Sequence, residues 1–115
     1  MRRGDIYSVD LDTVRSAEAN TRRPAVIVSN DAANTSARRL GRGVITIVPL
    51  TSNVDRIYPF QVLLPAAATG LDTDSKAQAE QVRSIAVDRV GHRLGVVPNR
   101  LLRQIDDALR LHLGL

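Results

Sequence analysis

The chain of 115 residues contains no cysteine. Disulfides, thiolate catalysis and cysteine-based metal centres are therefore excluded together. Tryptophan is also absent, and Tyr7, Tyr58 and Phe60 are its only aromatic residues, so little surface is available for ring stacking. No apolar run approaches the roughly 20 residues that cross a bilayer. The opening Met1-Arg-Arg-Gly passes directly into a strand-like pattern rather than a signal-peptide core, and a cytoplasmic location with no membrane association is expected. Lysine is nearly missing: of 16 Lys and Arg side chains only Lys76 is not arginine.

What remains is an ordinary globular composition, 43% apolar and 24% charged with a net charge of +4. Its length suits one domain over residues 1–115. Arginine presents a planar, permanently charged fork suited to phosphate oxygens. The arginine bias has two readings, GC-rich coding or a polyanionic partner.

The chain has no linker, repeat or low-complexity tract. Residues 5–11 alternate and predict a first strand. A polar loop follows over 12–23, of a length that usually accompanies function. Residues 25–29 read as a buried strand. Asn30-Asp31 can cap a short helical turn through Ser36, before a basic loop at 38–43. Residues 44–50 are the strongest strand, β-branched and ended by Pro49. A loop at 51–56 leads through Tyr58-Pro59-Phe60 into a strand at 61–64. Residues 75–85 read as one long polar strand, 88–93 as a short helical turn and 94–97 as a small strand. Pro98 suits the first turn of a closing helix, with Leu102, Ile105, Leu109 and Leu113 as its apolar stripe. Many short strands and one terminal helix predict a small barrel-like α+β domain.

Two fragments carry chemistry. Glu18-Ala-Asn-Thr-Arg-Arg-Pro-Ala-Val-Ile-Val-Ser29 runs a charged loop into a wholly apolar strand. Val48-Pro-Leu-Thr-Ser-Asn53 delivers hydroxyls and an amide from a second strand end. Strands emerging from polar loops are how a rigid scaffold presents a site. Together the two suggest phosphate chemistry on a nucleic acid.

These residues, in order, resemble the MazF/PemK toxins, endoribonucleases of bacterial type II toxin–antitoxin pairs. The resemblance spans nearly the whole chain. It rests on Arg3-Gly-Asp-Ile-Tyr7, Arg23-Pro-Ala-Val-Ile-Val-Ser-Asn-Asp31, Val48-Pro-Leu-Thr-Ser52, Tyr58-Pro-Phe60, Glu80-Gln-Val-Arg-Ser-Ile85 and Ile105-Asp-Asp-Ala-Leu109. It implies an SH3-like β-barrel of the CcdB/PemK type with a C-terminal amphipathic helix, working as a homodimer. It further implies sequence-specific, ribosome-independent cleavage of single-stranded RNA without metal or other cofactor. The expected products are 2′,3′-cyclic phosphate and 5′-hydroxyl ends, and translation and growth would be inhibited. mRNA, tRNA and rRNA all stay open as the physiological target. A cognate MazE-like antitoxin would neutralise the protein with an acidic tail laid over the RNA surface. Glu18, Arg23 and Thr51 match family motif positions. The first loop departs from the family's Gly-Ser-Glu, reading Ser16-Ala17-Glu18, so no role is carried over to Ser16.

RNA cleavage of this kind requires a deprotonated 2′-hydroxyl, a stabilised phosphorane and a protonated leaving oxygen. Arg23 offers two or more donors in fork geometry, and its permanent charge favours electrostatic stabilisation over proton transfer. Thr51 can donate to a phosphate oxygen. Glu18 is either the base or the group that aims Arg23. Taken singly, Glu18 and Arg23 equally fit a surface ion pair of small worth, and Thr51 a turn residue. Their joint place in a long ordered pattern favours the site.

For RNA binding the candidates are Arg22, Arg15, Arg56 and Arg83 on the backbone, and Asn20, Asn53 and Gln81 on base edges. Tyr58 is the stacking residue, with Tyr7 and Phe60 assigned to the core. His92, in a Gly-flanked loop, and His112, on the terminal helix, lie away from the motif strands and are read as structural or surface groups. Two rivals remain: a CcdB-like gyrase poison without enzymatic activity, disfavoured by the absent Trp and the Leu-Gly-Leu end, and a non-cleaving RNA binder. Leu101 and Leu113, expected to be exposed beside the helix stripe, motivate the dimer.

Overall fold

A computed structural model describes residues 1–11 and 22–115. Seven antiparallel strands are present among them: β1 (Asp5–Asp10), β2 (Arg22–Ile27), β3 (Val44–Thr51), β4 (Gln61–Leu64), β5 (Ser75–Gln78), β6 (Arg83–Ala86) and β7 (Val90–Val96). Three helices accompany them: α1 (Asp31–Leu40), α2 (Ala66–Thr69) and α3 (Asn99–Leu113). The hydrogen-bonded order is β4-β5-β3-β2-β1-β7, with β6 attached to β3. The path is open at β4 and β7. No helix among the described residues is long and apolar enough to cross a membrane.

Period-2 alternation sends successive side chains to opposite faces, and here both faces are covered. Ile6, Val26, Val48 and Leu50 join Leu64 and the α3 residues Leu101, Ile105 and Ala108 in one core. Tyr7, Val9, Ala25, Ile27, Ile45 and Ile47 form the other with Ile85 and Ala37 of α1. Burial on both faces explains why Ala25-Val26-Ile27 is apolar throughout.

The expected strand at 75–85 is broken. β3 changes partner along its length: Val44 to Ile47 pair with β6, whereas Leu50 and Thr51 pair with β5. Pro49, which has no N–H to donate, stands at the changeover. Between β5 and β6 the chain makes a 3-10 turn at Ala79–Gln81. The helix expected to stop at Ser36 continues to Leu40. Asn30 caps it as expected, accepting from the Ala33 N–H at 2.8 Å. Arg38 and Arg39 fall in its last turn, where cations suit the dipole, and Gly41 closes it at φ 65°.

Further differences are local. The turn expected at 88–93 is a 3-10 turn at Val87–Arg89, and β7 then takes up Val90–Val96, so His92 is an exposed strand residue. α2 had no counterpart in the sequence reading. Leu101, expected to be exposed, is 4% exposed because it faces the sheet; Leu113 remains 54% exposed. Phe60 is half-buried rather than core, and its ring stacks on Tyr58.

Candidate functional site at the β2–β3 strand ends

The β2–β3 ladder pairs Ile27 with Ile47, Val26 with Val48 and Ala25 with Pro49. Carried two residues further, that register places Arg23 opposite Thr51. Two residues distant in sequence therefore arrive on neighbouring strand ends. Both line a cleft of about 420 Å³, together with Arg22, Pro24, Leu50, Ser52, Thr73 and Ser75. Its lining residues include two arginines and four hydroxyl-bearing side chains, residue types suited to an anion.

Thr51 is held on two sides. It is the β5 register partner of Lys76, and its Oγ1 accepts from the Asn53 N–H at 3.2 Å. Acceptance fixes the oxygen and leaves the hydroxyl proton for a ligand. Asn53 Oδ1 in turn accepts from the Asp55 N–H at 3.3 Å, so the loop is tightened by two successive side chain–backbone bonds. Arg23 is exposed at the start of β2. Arg22, beside it, packs its Nη1 over Gly91 of β7, where an added Cβ would come within 2.5 Å.

The expected binding residues separate. Arg56 and Tyr58 come together: Arg56 Nη1 donates to Tyr58 Oη at 3.2 Å, and its guanidinium carbon stands 5.5 Å from the ring centroid. Gln81 is exposed in the 3-10 turn, outside the residues lining the cleft. Arg83 also stands apart, half-buried on β6 and donating to the Leu11 carbonyl at 3.4 Å. Glu18, Arg15 and Asn20 lie outside the described residues. His112, like His92, is exposed and lines no part of the cleft.

Thr73, Ser75 and Lys76 belong to this region and were missed. Lys76, 8% exposed, donates to the Arg56 carbonyl at 2.6 Å. Its one signal in the sequence was being the single lysine among arginines. Glu80 stands close by; its Oε2 accepts from Gln61 Nε2 at 2.7 Å, while its buried Oε1 finds no hydrogen-bond partner among the described residues.

A small antiparallel sheet backed by a C-terminal helix, with an arginine- and hydroxyl-lined cleft at its strand ends, defines a small α+β domain with a donor-rich site. The chain belongs to the PemK-like, MazF-like toxins of type II toxin–antitoxin systems, whose family profile matches residues 2–113. It is 62% identical over its full length to endoribonuclease MazF9 of Mycobacterium tuberculosis (strain ATCC 25618 / H37Rv), covering 98% of that protein. A solved endoribonuclease from a mycobacterial species superposes with a TM-score of 0.76 at 27% identity, over 100% of this chain and 92% of that one. An endoribonuclease in complex with its cognate antitoxin, also mycobacterial, gives 0.75 at 26% identity, over 100% of this chain and 96% of that one.

Proposed function

We propose that this chain is an endoribonuclease toxin that cuts single-stranded RNA at short sequence motifs, independently of the ribosome and of metal. The observation that carries the reading is the placement of Arg23 opposite Thr51 in a cleft of donors, within a chain 62% identical to an endoribonuclease. The scissile phosphate lies between the two strand ends. Glu18 takes the 2′-hydroxyl proton or aims Arg23. The 2′-oxygen attacks phosphorus, and the extra negative charge of the phosphorane falls on Arg23 and the Thr51 hydroxyl. The bond to the 5′-oxygen breaks, that oxygen is protonated, and a 2′,3′-cyclic phosphate and a 5′-hydroxyl result.

Arg22, Arg56 and Tyr58 extend the path of the strand beyond the cleft, with Asn53 at its edge. Arg83 and Gln81 contact RNA further out, as Arg15 and Asn20 do from the first loop. The open sheet is read as the SH3-like barrel of the family, with α3 packed along it and a second copy completing a homodimer. An antitoxin with an acidic tail, matched to the cationic cleft, would block the same path. The setting is the cytoplasm, where loss of RNA halts translation and growth.

Purified protein incubated with a long single-stranded RNA in EDTA should yield discrete cuts bearing cyclic phosphate ends. Arg23→Ala should slow their appearance about 10²–10³-fold. An absence of cuts, or cuts unchanged by Arg23→Ala, sinks the reading.

A further inference from the structure

Two polar side chains lie buried beneath the 52–60 loop, and the chemistry above uses neither. Lys76 and Gln61 are each 8% exposed. The Lys76 ammonium donates to the Arg56 carbonyl at 2.6 Å and stands 5.9 Å from the Tyr58 ring centroid. Gln61 Oε1 accepts from the Tyr58 N–H at 3.2 Å. Above them the Tyr58 and Phe60 rings are parallel, 5.4 Å between centroids and 2° between planes, an offset stack. Tyr58 nevertheless stays 41% exposed.

Burying an ammonium group is costly unless it is hydrogen-bonded, and lysine is seldom buried unless paired. Here the compensating contacts, a carbonyl and an aromatic face, both belong to an exposed loop that supplies nothing to either core. The buried cation therefore sets the loop's shape. The loop ends in an aromatic ring with Lys76 5.9 Å from its centroid and Arg56 5.5 Å from it, the latter also bonded to its hydroxyl. Thr51, which lines the cleft, is the register partner of Lys76, so ring and cleft are mounted on one rung of the sheet.

We propose that Lys76 is a positioning residue, holding the loop so that the Tyr58 ring is a ready platform for one nucleobase of single-stranded RNA bound in the adjoining cleft. The inference rests on the reading of that cleft as an RNA site. Stacking on an aromatic ring tolerates any base, and a ring held in place before binding loses less freedom on binding. Lys76 itself touches no phosphate.

The test uses the full chain and a single-stranded RNA spanning a mapped cut site, made uncleavable by a 2′-deoxy scissile nucleotide and labelled with 2-aminopurine beside it. Lys76→Met and Tyr58→Leu should each weaken binding about 5- to 150-fold, the range of one lost base stack. Both should lose the stacking quench of 2-aminopurine, and on cleavable RNA both should raise KM with little change in kcat. The double variant should bind no worse than Tyr58→Leu alone, and Lys76→Met should keep the wild-type salt slope. Unchanged KM in Lys76→Met, multiplied losses in the double variant, or a slope lowered by about 0.7, as when one phosphate contact to a single strand is lost, would each overturn the proposal. If Lys76→Met does not fold, Lys76→Gln decides: added to Tyr58→Leu it should cause no further loss, and a further loss overturns the proposal. Unmodified protein that neither binds nor cuts the RNA overturns the RNA reading and this inference together, whereas normal wild-type cleavage with an unaffected Lys76→Met overturns this inference alone.

Discussion

Arg23 faces Thr51 across the end of the β2–β3 ladder, by continuation of the register two residues beyond its last registered pair, Ala25 with Pro49. Each is still held in the sheet on its other side, Arg23 by its β1 partner Val9 and Thr51 by its β5 partner Lys76. Arg23→Ala should lower kcat by about 10²–10³-fold, the effect of removing one preorganised donor from a developing anion. Thr51→Val, which keeps the shape and removes the hydroxyl, should lower it by about 10-fold or more, as for a hydrogen bond to a charged group. Thr51→Ser should retain most activity. Single-turnover cleavage of a defined RNA measures all three, and a Thr51→Val enzyme at full rate would remove Thr51 from the mechanism.

Gly91 and Gly95 of β7 should respond differently to alanine. At Gly91 the new Cβ meets the tip of Arg22 at 2.5 Å and the Ser8 carbonyl at 3.0 Å. The arginine can swing away, so Gly91→Ala should cost about 1 kcal/mol, like a modest overpacking change, and alter RNA affinity through displaced Arg22. At Gly95 the Cβ meets the Thr69 carbonyl at 2.3 Å, and backbone cannot swing. Gly95→Ala should cost about 3 kcal/mol or more. Urea unfolding separates the two; equal midpoints would contradict the packing argument.

Asn34 is fully buried. Its Nδ2 donates to the Ser29 carbonyl at 2.8 Å, its Oδ1 accepts from Ser29 Oγ at 2.5 Å, and that hydroxyl accepts from the Thr46 N–H at 3.1 Å. The network pins α1 to the turn that follows β2 and to β3. Asn34→Leu should destabilise the fold by about 1–3 kcal/mol through stranded buried polar groups, with no specific effect on kcat in the protein that remains folded. A melting temperature equal to wild type would show that the network is dispensable.

Arg56 is the exposed cation of the Tyr58 cluster. Arg56→Ala should weaken RNA binding and lower the slope of log K against log salt by about 0.7, as expected for one lost contact to a single strand. Affinity titrations at several salt concentrations provide the check; an unchanged slope would mean that Arg56 serves the ring and not the phosphate.

Local signals explain how much of the fold could be read in advance. The span of β4 and the Asn30 cap of α1 depend on neighbouring residues and match the expectation, whereas the strand expected at 25–29 runs Arg22–Ile27 and takes its first two residues from the expected loop. The break between β5 and β6 depends on β3 changing partners, which no local pattern in 75–85 encodes. α1 was cut short because Arg38 and Arg39 read as a solvated loop, although cations suit a helix end and Ala37 between Ser36 and Arg38 packs on the core. Leu101 lies four residues before Ile105 and seven before Ala108, so helical periodicity sets all three on one buried face, which a stripe drawn through Leu102 misses.

For the site, the sequence by itself determined the residue types: an arginine before Pro24, a threonine after Leu50, an arginine-rich surface and no cysteine. Arg23 and Thr51 are singled out by their match to the positions of a family motif, one at the start of β2 and one at the end of β3. Tertiary structure alone decided that they face one another, since that follows from the β2–β3 register. It also brought Thr73 and Ser75 into the cleft and buried Lys76 under Tyr58, because β5 pairs with the far end of β3. Register is a relation between strands, fixed by the packing of both faces at once, and no window of a single strand contains it.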